Sequence, residues 1–166
     1  MVGPVTEATI IETEAYLGFD DPASHGWRGR LHAGNANLYG PPGTWYVYRS
    51  YGIHWCANLV CGEPGRGSAV LLRGGLPLRG LATMRRRRAG AGGAGGGVAD
   101  ERLANGPGKL CQALGISRDL DGILMPRSEV LVFENQNPGS DAIDVTPRIG
   151  ITKAVDWPLR FRLRVP

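Results

Sequence analysis

Two glutamates and a tyrosine share one face of the first predicted strand. The stretch from Val5 to Tyr16 is rich in β-branched residues and alternates in polarity, which indicates a β-strand. The strand period of two places Glu12, Glu14 and Tyr16 on the same face. A carboxylate beside an aromatic ring suits general-base chemistry, with Glu14 as the candidate base. Two alternatives stay open: an exposed strand carboxylate, or a metal site shared by Glu12 and Glu14.

A second aromatic feature lies between two further predicted strands. Thr44–Arg49 and Ile53–Cys61 are expected to pair, and the Tyr51-Gly52 dipeptide between them is expected at the tip of a hairpin. A hairpin tip offers little core to bury the ring of Tyr51, so the ring is free to stack on a partner. We interpret three features together: a carboxylate beside aromatic rings, an exposed ring at a hairpin tip (the aromatic finger, Tyr51) and a basic chain. They favour an enzyme that extrudes a base from a duplex.

Several other polar or aromatic residues allow two interpretations each. Tyr48 shares a strand face with Tyr46, a pattern that is by default core packing. His25 lies in a long irregular loop, where a lone histidine is usually structural. Asn58 lies in an apolar strand and is either a specificity contact or a core amide with satisfied hydrogen bonds. Arg73, at the end of an apolar strand, has the same two interpretations and a higher cost if left unpaired.

The rest of the chain is predicted to contain both strands and helices. Helical character is expected over Leu76–Arg88, which ends in four arginines that are either a solvated helix end or a phosphate contact. A short helix is expected to open within Asn105–Leu110, where free amides around Gly108 and the side chain of Lys109 could hold a phosphate. Further strands are predicted at Ser68–Arg73, Glu129–Glu134 and Leu159–Val165.

Composition bounds the class of protein. A chain of 166 residues is most simply one domain. Its net charge of +4, mainly from arginine, favours a polyanionic partner, and charge alone leaves a plain basic domain open as the alternative. The three cysteines contain no Cys-x-x-Cys pair, which indicates neither a disulfide framework nor a zinc site and favours a reducing cytoplasm. No apolar run suggests membrane insertion. The Gly/Ala-rich segment 89–98 is expected to be a mobile loop rather than a domain boundary.

Four blocks of sequence, in order, resemble the alkyladenine (3-methyladenine) DNA glycosylases. The resemblance runs from about Ile10 to Phe161. Its strongest pieces are Glu12-Thr13-Glu14-Ala15-Tyr16, Pro42-Gly43-Thr44-Trp45-Tyr46-Val47-Tyr48 with Tyr51-Gly52, Ala69-Val70-Leu71-Leu72-Arg73, and Gly106-Pro107-Gly108-Lys109-Leu110-Cys111-Gln112-Ala113-Leu114. The resemblance implies an α+β fold: a single mixed domain over residues 1–166, with a curved antiparallel β-sheet core, peripheral helices and a protruding β-hairpin.

The resemblance also implies a role for each matching residue. Glu14 would activate a water molecule for attack on the anomeric carbon, and Arg73 would help to hold that water. The flipped base would stack between Tyr16 on one side and His25 with Tyr48 on the other.

Three further roles concern base selection and DNA contact. Asn58 would discriminate against normal guanine, Tyr51 would fill the gap in the duplex, and Lys109 with the amide of Gly108 would contact a phosphate. The family uses no metal or other cofactor and forms no covalent intermediate. The implied partner is double-stranded DNA containing damaged purines, and the implied protein is a monomer that acts in base excision repair.

Two departures from the family pattern motivate a rival hypothesis. Only nine residues precede Ile10, where family members usually have an additional helix and strand, and Gly34 occupies a position where an arginine is common. The rival is a DNA-binding relic with weak or no turnover. A second rival is a metal-dependent nuclease that uses Glu12 and Glu14.

Overall fold

The protein is an α+β domain built on one antiparallel sheet. The computed structural model describes residues 5–90, 98–134 and 138–165. Six strands form an open sheet in the order β2-β3-β4-β1-β6-β5. Their bounds are Glu7–Tyr16 (β1), Trp45–Ser50 (β2), His54–Cys61 (β3), Ser68–Arg79 (β4), Ile143–Thr146 (β5) and Arg160–Leu163 (β6).

Side-chain alternation gives the sheet two different faces. On β2, Trp45 and Val47 point into the main core, which packs against two helices, α1 (Leu81–Ala89) and α2 (Pro107–Leu114). Tyr46 on the same strand belongs to a smaller cluster on the opposite face, and Tyr48 packs against that cluster. The helices therefore cover one face, and the second face carries the polar and aromatic side chains that the sequence singled out.

The strand β1 is irregular where the two glutamates lie. Its pairing with β4 shifts between Ile10 and Glu12 and again between Glu12 and Thr13. Such bulges redirect side chains and occur often beside active sites. Beyond this point the register is regular, with Glu14 opposite Leu71 and Tyr16 opposite Ala69.

The predicted helix over Leu76–Arg88 is wrong in its first part. β4 continues to Arg79, because β1 supplies a partner strand up to the pair Glu7↔Arg79. Pro77 is tolerated there because β3 pairs only with Ser68–Leu71, which leaves the other edge of β4 free of ladder hydrogen bonds to β3. The helix α1 begins only after Gly80, whose φ is +77°.

The four arginines at the end of α1 mainly make contacts within the protein. Arg85 forms an ion pair with Asp100. Arg87 donates a hydrogen bond to the carbonyl of Ala113 at 3.0 Å, and Arg88 donates one to the side chain of Gln112. The run therefore ties α1 to α2, a role that neither sequence interpretation includes.

The predicted strand at Glu129–Glu134 is also wrong. That segment is irregular, although Val130 and Val132 pack against the main core. Burial of alternate residues was thus predictable, but no strand pairs with the segment. β6 lies between β1 and β5, with Phe161 opposite Thr13 on one side and opposite Val145 on the other.

Two other expectations concern the rest of the chain. The expected mobile loop at 89–98 lies mostly outside the described residues; α1 ends at Ala89. The short helix predicted from Asn105 is confirmed as α2, with Pro107 first and Gly115 after its end at φ +77°. Within the described residues, no helix has the length and apolar character needed to cross a membrane.

Candidate active site

A cavity of about 690 Å³ opens on the sheet face that the helices leave uncovered. The strands β1 to β4 provide its floor through Tyr16, Tyr48, Asn58 and Arg73. Two loops provide the walls. One loop carries His25 and the other carries residues 149–153.

Glu14 lies directly behind the floor of this cavity and is fully buried. Its Oε1 atom accepts a hydrogen bond from the backbone amide of Ile149 at 2.8 Å and lies 3.4 Å from Nη1 of Arg73. Its Oε2 atom accepts a hydrogen bond from the hydroxyl of Tyr16 at 3.0 Å. All three partners line the cavity. The carboxylate of Glu14 is therefore separated from the cavity only by residues that line it.

The hydroxyl of Tyr16 stays protonated as a donor to Glu14. Burial, and then the neighbouring carboxylate of Glu14, raise the pKa of Tyr16 well above its ordinary value of 10. A neutral hydroxyl is a weaker partner for a carboxylate than a guanidinium is. The guanidinium of Arg73 therefore balances the charge of Glu14 on the Oε1 side, whereas the described contact at Oε2 comes from a neutral donor.

Glu12 forms an ion pair with Arg73. Its Oε1 atom accepts hydrogen bonds from Nε of Arg73 at 2.9 Å and from Nε of Arg160 at 2.7 Å. Burial alone would raise the pKa of Glu12, but the hydrogen bonds from Arg160 and Arg73 outweigh burial and hold the pKa below its ordinary value of 4.5. Glu12 therefore orients the guanidinium of Arg73.

This arrangement does not suit the metal site that the sequence left open. Arg73 contacts both carboxylates, and a cationic guanidinium occupies the side from which a cation would approach. Among the residues that the structure describes, no group of three or more metal-ligating side chains is present. The donor set thus fits hydrolysis without a metal better than it fits a two-carboxylate nuclease.

Aromatic rings flank the cavity. The rings of His25 and Tyr48 are 4.6 Å apart, and Nδ1 of His25 lies 2.8 Å from the hydroxyl of Tyr46. Partial burial, and then the nearby His32, lower the pKa of His25 below its ordinary value of 6.5. A neutral imidazole at neutral pH therefore presents an uncharged ring to the cavity.

The loop that carries His25 is organised by a buried amide. Asn35 is fully buried, and its Nδ2 donates to the backbone carbonyls of His25 at 3.0 Å and Arg30 at 2.8 Å. Its Oδ1 accepts from the amide of His32 at 2.8 Å. One asparagine thus satisfies three backbone groups and fixes the loop against the cavity.

Asn58 is a buried amide with a satisfied hydrogen bond, and it also faces the cavity. Its Nδ2 donates to the carbonyl of Tyr46 across the β2–β3 pair at 3.0 Å. The hydrogen bond to Tyr46 fixes the orientation of the Asn58 side chain in the cavity lining.

The structure places Tyr51 at the tip of the β2–β3 hairpin. Its side chain is 87% exposed, and its φ of +51° together with φ +69° at Gly52 closes a two-residue turn. A left-handed φ is costly for a residue with a side chain. A costly conformation at an exposed aromatic ring is typical of a functional position.

The start of α2 packs beside this hairpin. A Cβ atom on Gly108 would come within 2.8 Å of Cβ of His54, so only glycine allows this approach. Pro107 lines the cavity, whereas Lys109 does not and bonds the side chain of Asn105 at 2.8 Å. Lys109 and Gly108 thus lie at the edge of the site, next to the aromatic finger.

Sequence reasoning missed three contributors to the site. The amide of Ile149 that bonds Glu14 has no sequence signature, because every residue except proline carries such a group. The buried ion pair of Arg148 and Asp21 joins residues that are distant in the chain. The cations on the cavity rim were not singled out either; they are Arg30, Arg49 and Lys153.

Comparison with known proteins assigns a family to this site. The profile of the family described as methylpurine-DNA glycosylase matches residues 2–165. A protein of Granulibacter bethesdensis named "Putative 3-methyladenine DNA glycosylase" is 48% identical over 154 residues, which cover 92% of this chain and 68% of the relative.

Two more relatives carry the same name. The protein of Rhodopseudomonas palustris (strain BisB18) is 47% identical, with 93% of this chain and 72% of the relative covered. That of Methanoculleus marisnigri is 45% identical, with 96% of this chain and 80% of the relative covered. This chain therefore belongs to the methylpurine-DNA glycosylase family, whose members are hydrolases that cleave N-glycosidic bonds in DNA.

Proposed function

We propose that this protein excises alkylated or deaminated purines from double-stranded DNA by hydrolysis at a flipped nucleotide, leaving an abasic site. One observation carries the proposal. A buried carboxylate, Glu14, is held by three groups that all line a cavity flanked by aromatic rings. The relatives' names, which refer to 3-methyladenine, point to the same class of substrate.

The proposed reaction needs one water molecule and one proton acceptor. Glu14 takes a proton from the water, and the oxygen attacks the anomeric carbon while the bond to the purine nitrogen breaks. The bonding electron pair leaves with the purine, which a positive charge or a weakened glycosidic bond makes a good leaving group. General-base assistance of this kind typically contributes about 10²–10⁴ in rate.

Access of the water to Glu14 depends on Tyr16. The water takes the position of the Tyr16 hydroxyl at Oε2, where the carboxylate has a neutral partner rather than a guanidinium. The amide of Ile149 and Nη1 of Arg73 then keep the carboxylate in place through Oε1. Arg73, whose guanidinium Glu12 orients, also holds the attacking water.

Selection of the base follows from the flanking rings. A purine stacks between Tyr16 on one side and His25 with Tyr48 on the other, and base stacking on aromatic rings is worth about 1–3 kcal/mol per base in single-strand binders. Electron-poor alkylated bases gain more from electron-rich rings. Asn58 meets the edge of the base and discriminates against guanine.

Contact with the duplex comes from the hairpin and the cavity rim. Tyr51 occupies the space that the flipped nucleotide leaves. Arg30, Arg49 and Lys153 lie on three separate segments around the mouth, and none of them pairs with a carboxylate in the described part of the chain. Arg49 and Lys153 lie over the rings of Trp55 and Trp27, which do not neutralise their charges. All three charges are therefore available to the DNA backbone, with Lys109 and the amide of Gly108 as a further phosphate contact.

A glycosylase assay in EDTA tests the proposed function. Duplexes that contain hypoxanthine or ethenoadenine are incubated with the protein and examined with and without alkali. We expect excision to be unaffected by EDTA, with strand cleavage only after alkali, because the site supplies a base and no metal ligand set. Strand cleavage without alkali that disappears on chelation would instead identify a nuclease, and binding without excision would identify a relic.

A further inference from the structure

A buried ion pair lies behind the cavity wall. The side chains of Asp21 and Arg148 are both fully buried, and Arg148 reaches both carboxylate oxygens, with Nη2 to Oδ1 at 2.9 Å. Burial alone would raise the pKa of Asp21, but hydrogen bonds from Arg148 and from two backbone amides hold it below its ordinary value. Burying two charges costs desolvation energy, and the attraction between them can be smaller than that cost. Stability alone is therefore a weak explanation for a buried ion pair.

Arg148 contacts the strand end that carries the stacking tyrosine. Its Nη1 donates to the carbonyl of Ala15 at 3.0 Å, and its guanidinium carbon lies 4.6 Å from the centre of the Tyr16 ring. Arg148 is buried and does not line the cavity, whereas Tyr16 does. The guanidinium therefore supports the ring from behind.

Asp21 anchors the turn that follows the same strand. It accepts hydrogen bonds from the amides of Leu17 at 3.1 Å and Ala23 at 3.0 Å. This turn leads directly into the loop that carries His25. The pair thus fixes the chain on both sides of the proposed base-binding slot.

Arg148 also precedes the residue that holds Glu14. The amide of Ile149 donates to Oε1 of Glu14, while the side chain of Ile149 is 49% exposed and offers little anchoring of its own. The position of that amide is consequently set by its buried neighbour, Arg148. Arg148 thus contacts the Tyr16 ring through its guanidinium and is the chain neighbour of the amide beside Glu14.

The geometry points to Arg148 and Asp21 as positioning residues for the hydrolytic step, which hold the backbone on both sides of Tyr16 and the segment whose amide binds Glu14, without touching the substrate. This inference rests on the roles proposed above for Glu14 and Tyr16. We therefore expect the ion pair to affect the rate of bond cleavage in addition to any effect on folding.

Asp21→Asn tests the inference, because it keeps the shape of the side chain and removes its charge. Its matched control is Asp20→Asn, at the neighbouring position in the chain. Asp20→Asn removes an exposed ion pair with Arg66. Single-turnover excision with saturating protein measures bond cleavage, binding to an abasic-site duplex measures DNA affinity, and circular dichroism defines temperatures at which each variant is folded.

We expect folded Asp21→Asn to lose about tenfold or more in single-turnover rate, because small displacements of catalytic groups can cost up to about a hundredfold. Affinity for the abasic duplex should stay within about threefold of wild type, since the pair does not face the DNA. Asp20→Asn should match wild type in both measurements. A wild-type cleavage rate in folded Asp21→Asn would overturn the inference.

Two further variants make the result decisive. Arg148→Lys keeps the buried charge but loses the two-pronged contact, and it should also lower the cleavage rate. If neither Asp21→Asn nor Arg148→Lys folds, the pair serves folding and the inference is wrong. Glu14→Gln is measured in parallel. Full activity of Glu14→Gln would refute the proposed function. If Glu14→Gln is inactive and Asp21→Asn is fully active, only the positioning role is refuted.

Discussion

At the scale of single residues, the site depends on how the buried carboxyl group of Glu14 is held in place and still reached by a water molecule. An isolated buried charge is very costly, and Glu14 avoids that cost through three donors. Two of them, an amide and an arginine, meet on Oε1. The third is the neutral hydroxyl of Tyr16 on Oε2, so the neutral donor faces the side where a water must arrive.

Glu12 should contribute stability that depends on pH. Its pKa is held below 4.5 in the folded protein, so its stabilising effect is fully present above pH 4.5 and is lost as pH falls through the folded value. Thermal melting of wild type and Glu12→Gln should therefore differ at pH 6 and converge in acid. Glu7→Gln, at an exposed position of the same strand, is the control for removing a strand carboxylate. An unchanged gap for Glu12→Gln at low pH would contradict the assigned ion pairs.

Residue-level prediction from sequence succeeded where a strand period sufficed. Alternation placed Glu12, Glu14 and Tyr16 on one face, and the structure has Arg73 touching both glutamates and Tyr16 touching Glu14. The amide of Ile149 could not be predicted, because its position depends on a loop packed 135 residues away in sequence. The same holds for the pairing of Asp21 with Arg148.

At the scale of elements, the β2–β3 hairpin carries a prediction of its own. Tyr51→Ala should reduce excision from duplex DNA, because extrusion of a nucleotide costs a few kcal/mol that a plug in the vacated space helps to offset. Folding should be nearly unaffected, since the ring is 87% exposed. Excision from paired and single-stranded substrates, measured beside melting temperature, checks both statements.

Two companion variants separate the ring from the backbone at this position. Tyr51→Gly relieves the left-handed φ of +51° and should be at least as stable as wild type, yet as poor in excision as Tyr51→Ala. Tyr51→Phe should largely restore excision, because the wedge needs bulk and not a hydroxyl. A melting temperature that collapses together with activity in Tyr51→Ala would show the ring to be part of the core.

Element boundaries were predictable only where local pattern and pairing agree. β1, β2, β3 and β6 follow their apolar alternation closely. The end of β4 does not, because pairing with β1 extends it through Pro77 into a segment with helical composition. The alternating segment at Glu129–Glu134 illustrates the converse: two valines reach the core, but strand formation also needs a partner that local sequence does not encode.

At the scale of the whole molecule, the distribution of charge predicts a salt-dependent association with DNA. Four cations, the three on the rim and Lys109, that each neutralise one phosphate should give a log–log slope of affinity against salt of about −4. Arg49→Gln should reduce the slope by about 1, because it removes one phosphate contact. Arg118→Gln removes an exposed arginine from a turn on the helix-covered side and should leave the slope unchanged. A wild-type slope near zero would exclude DNA phosphates as the main contact.

The account as a whole depends on Glu14 as the base that activates water. Glu14→Gln keeps the size of the side chain but cannot accept the proton, so it separates chemistry from binding. Single-turnover excision of hypoxanthine from a duplex should fall by at least about 10² in Glu14→Gln. Binding of the same duplex should stay close to wild type, and Glu12→Gln should lose much less activity. Equal losses in the two variants, or substantial excision by Glu14→Gln, would contradict a mechanism with one general base.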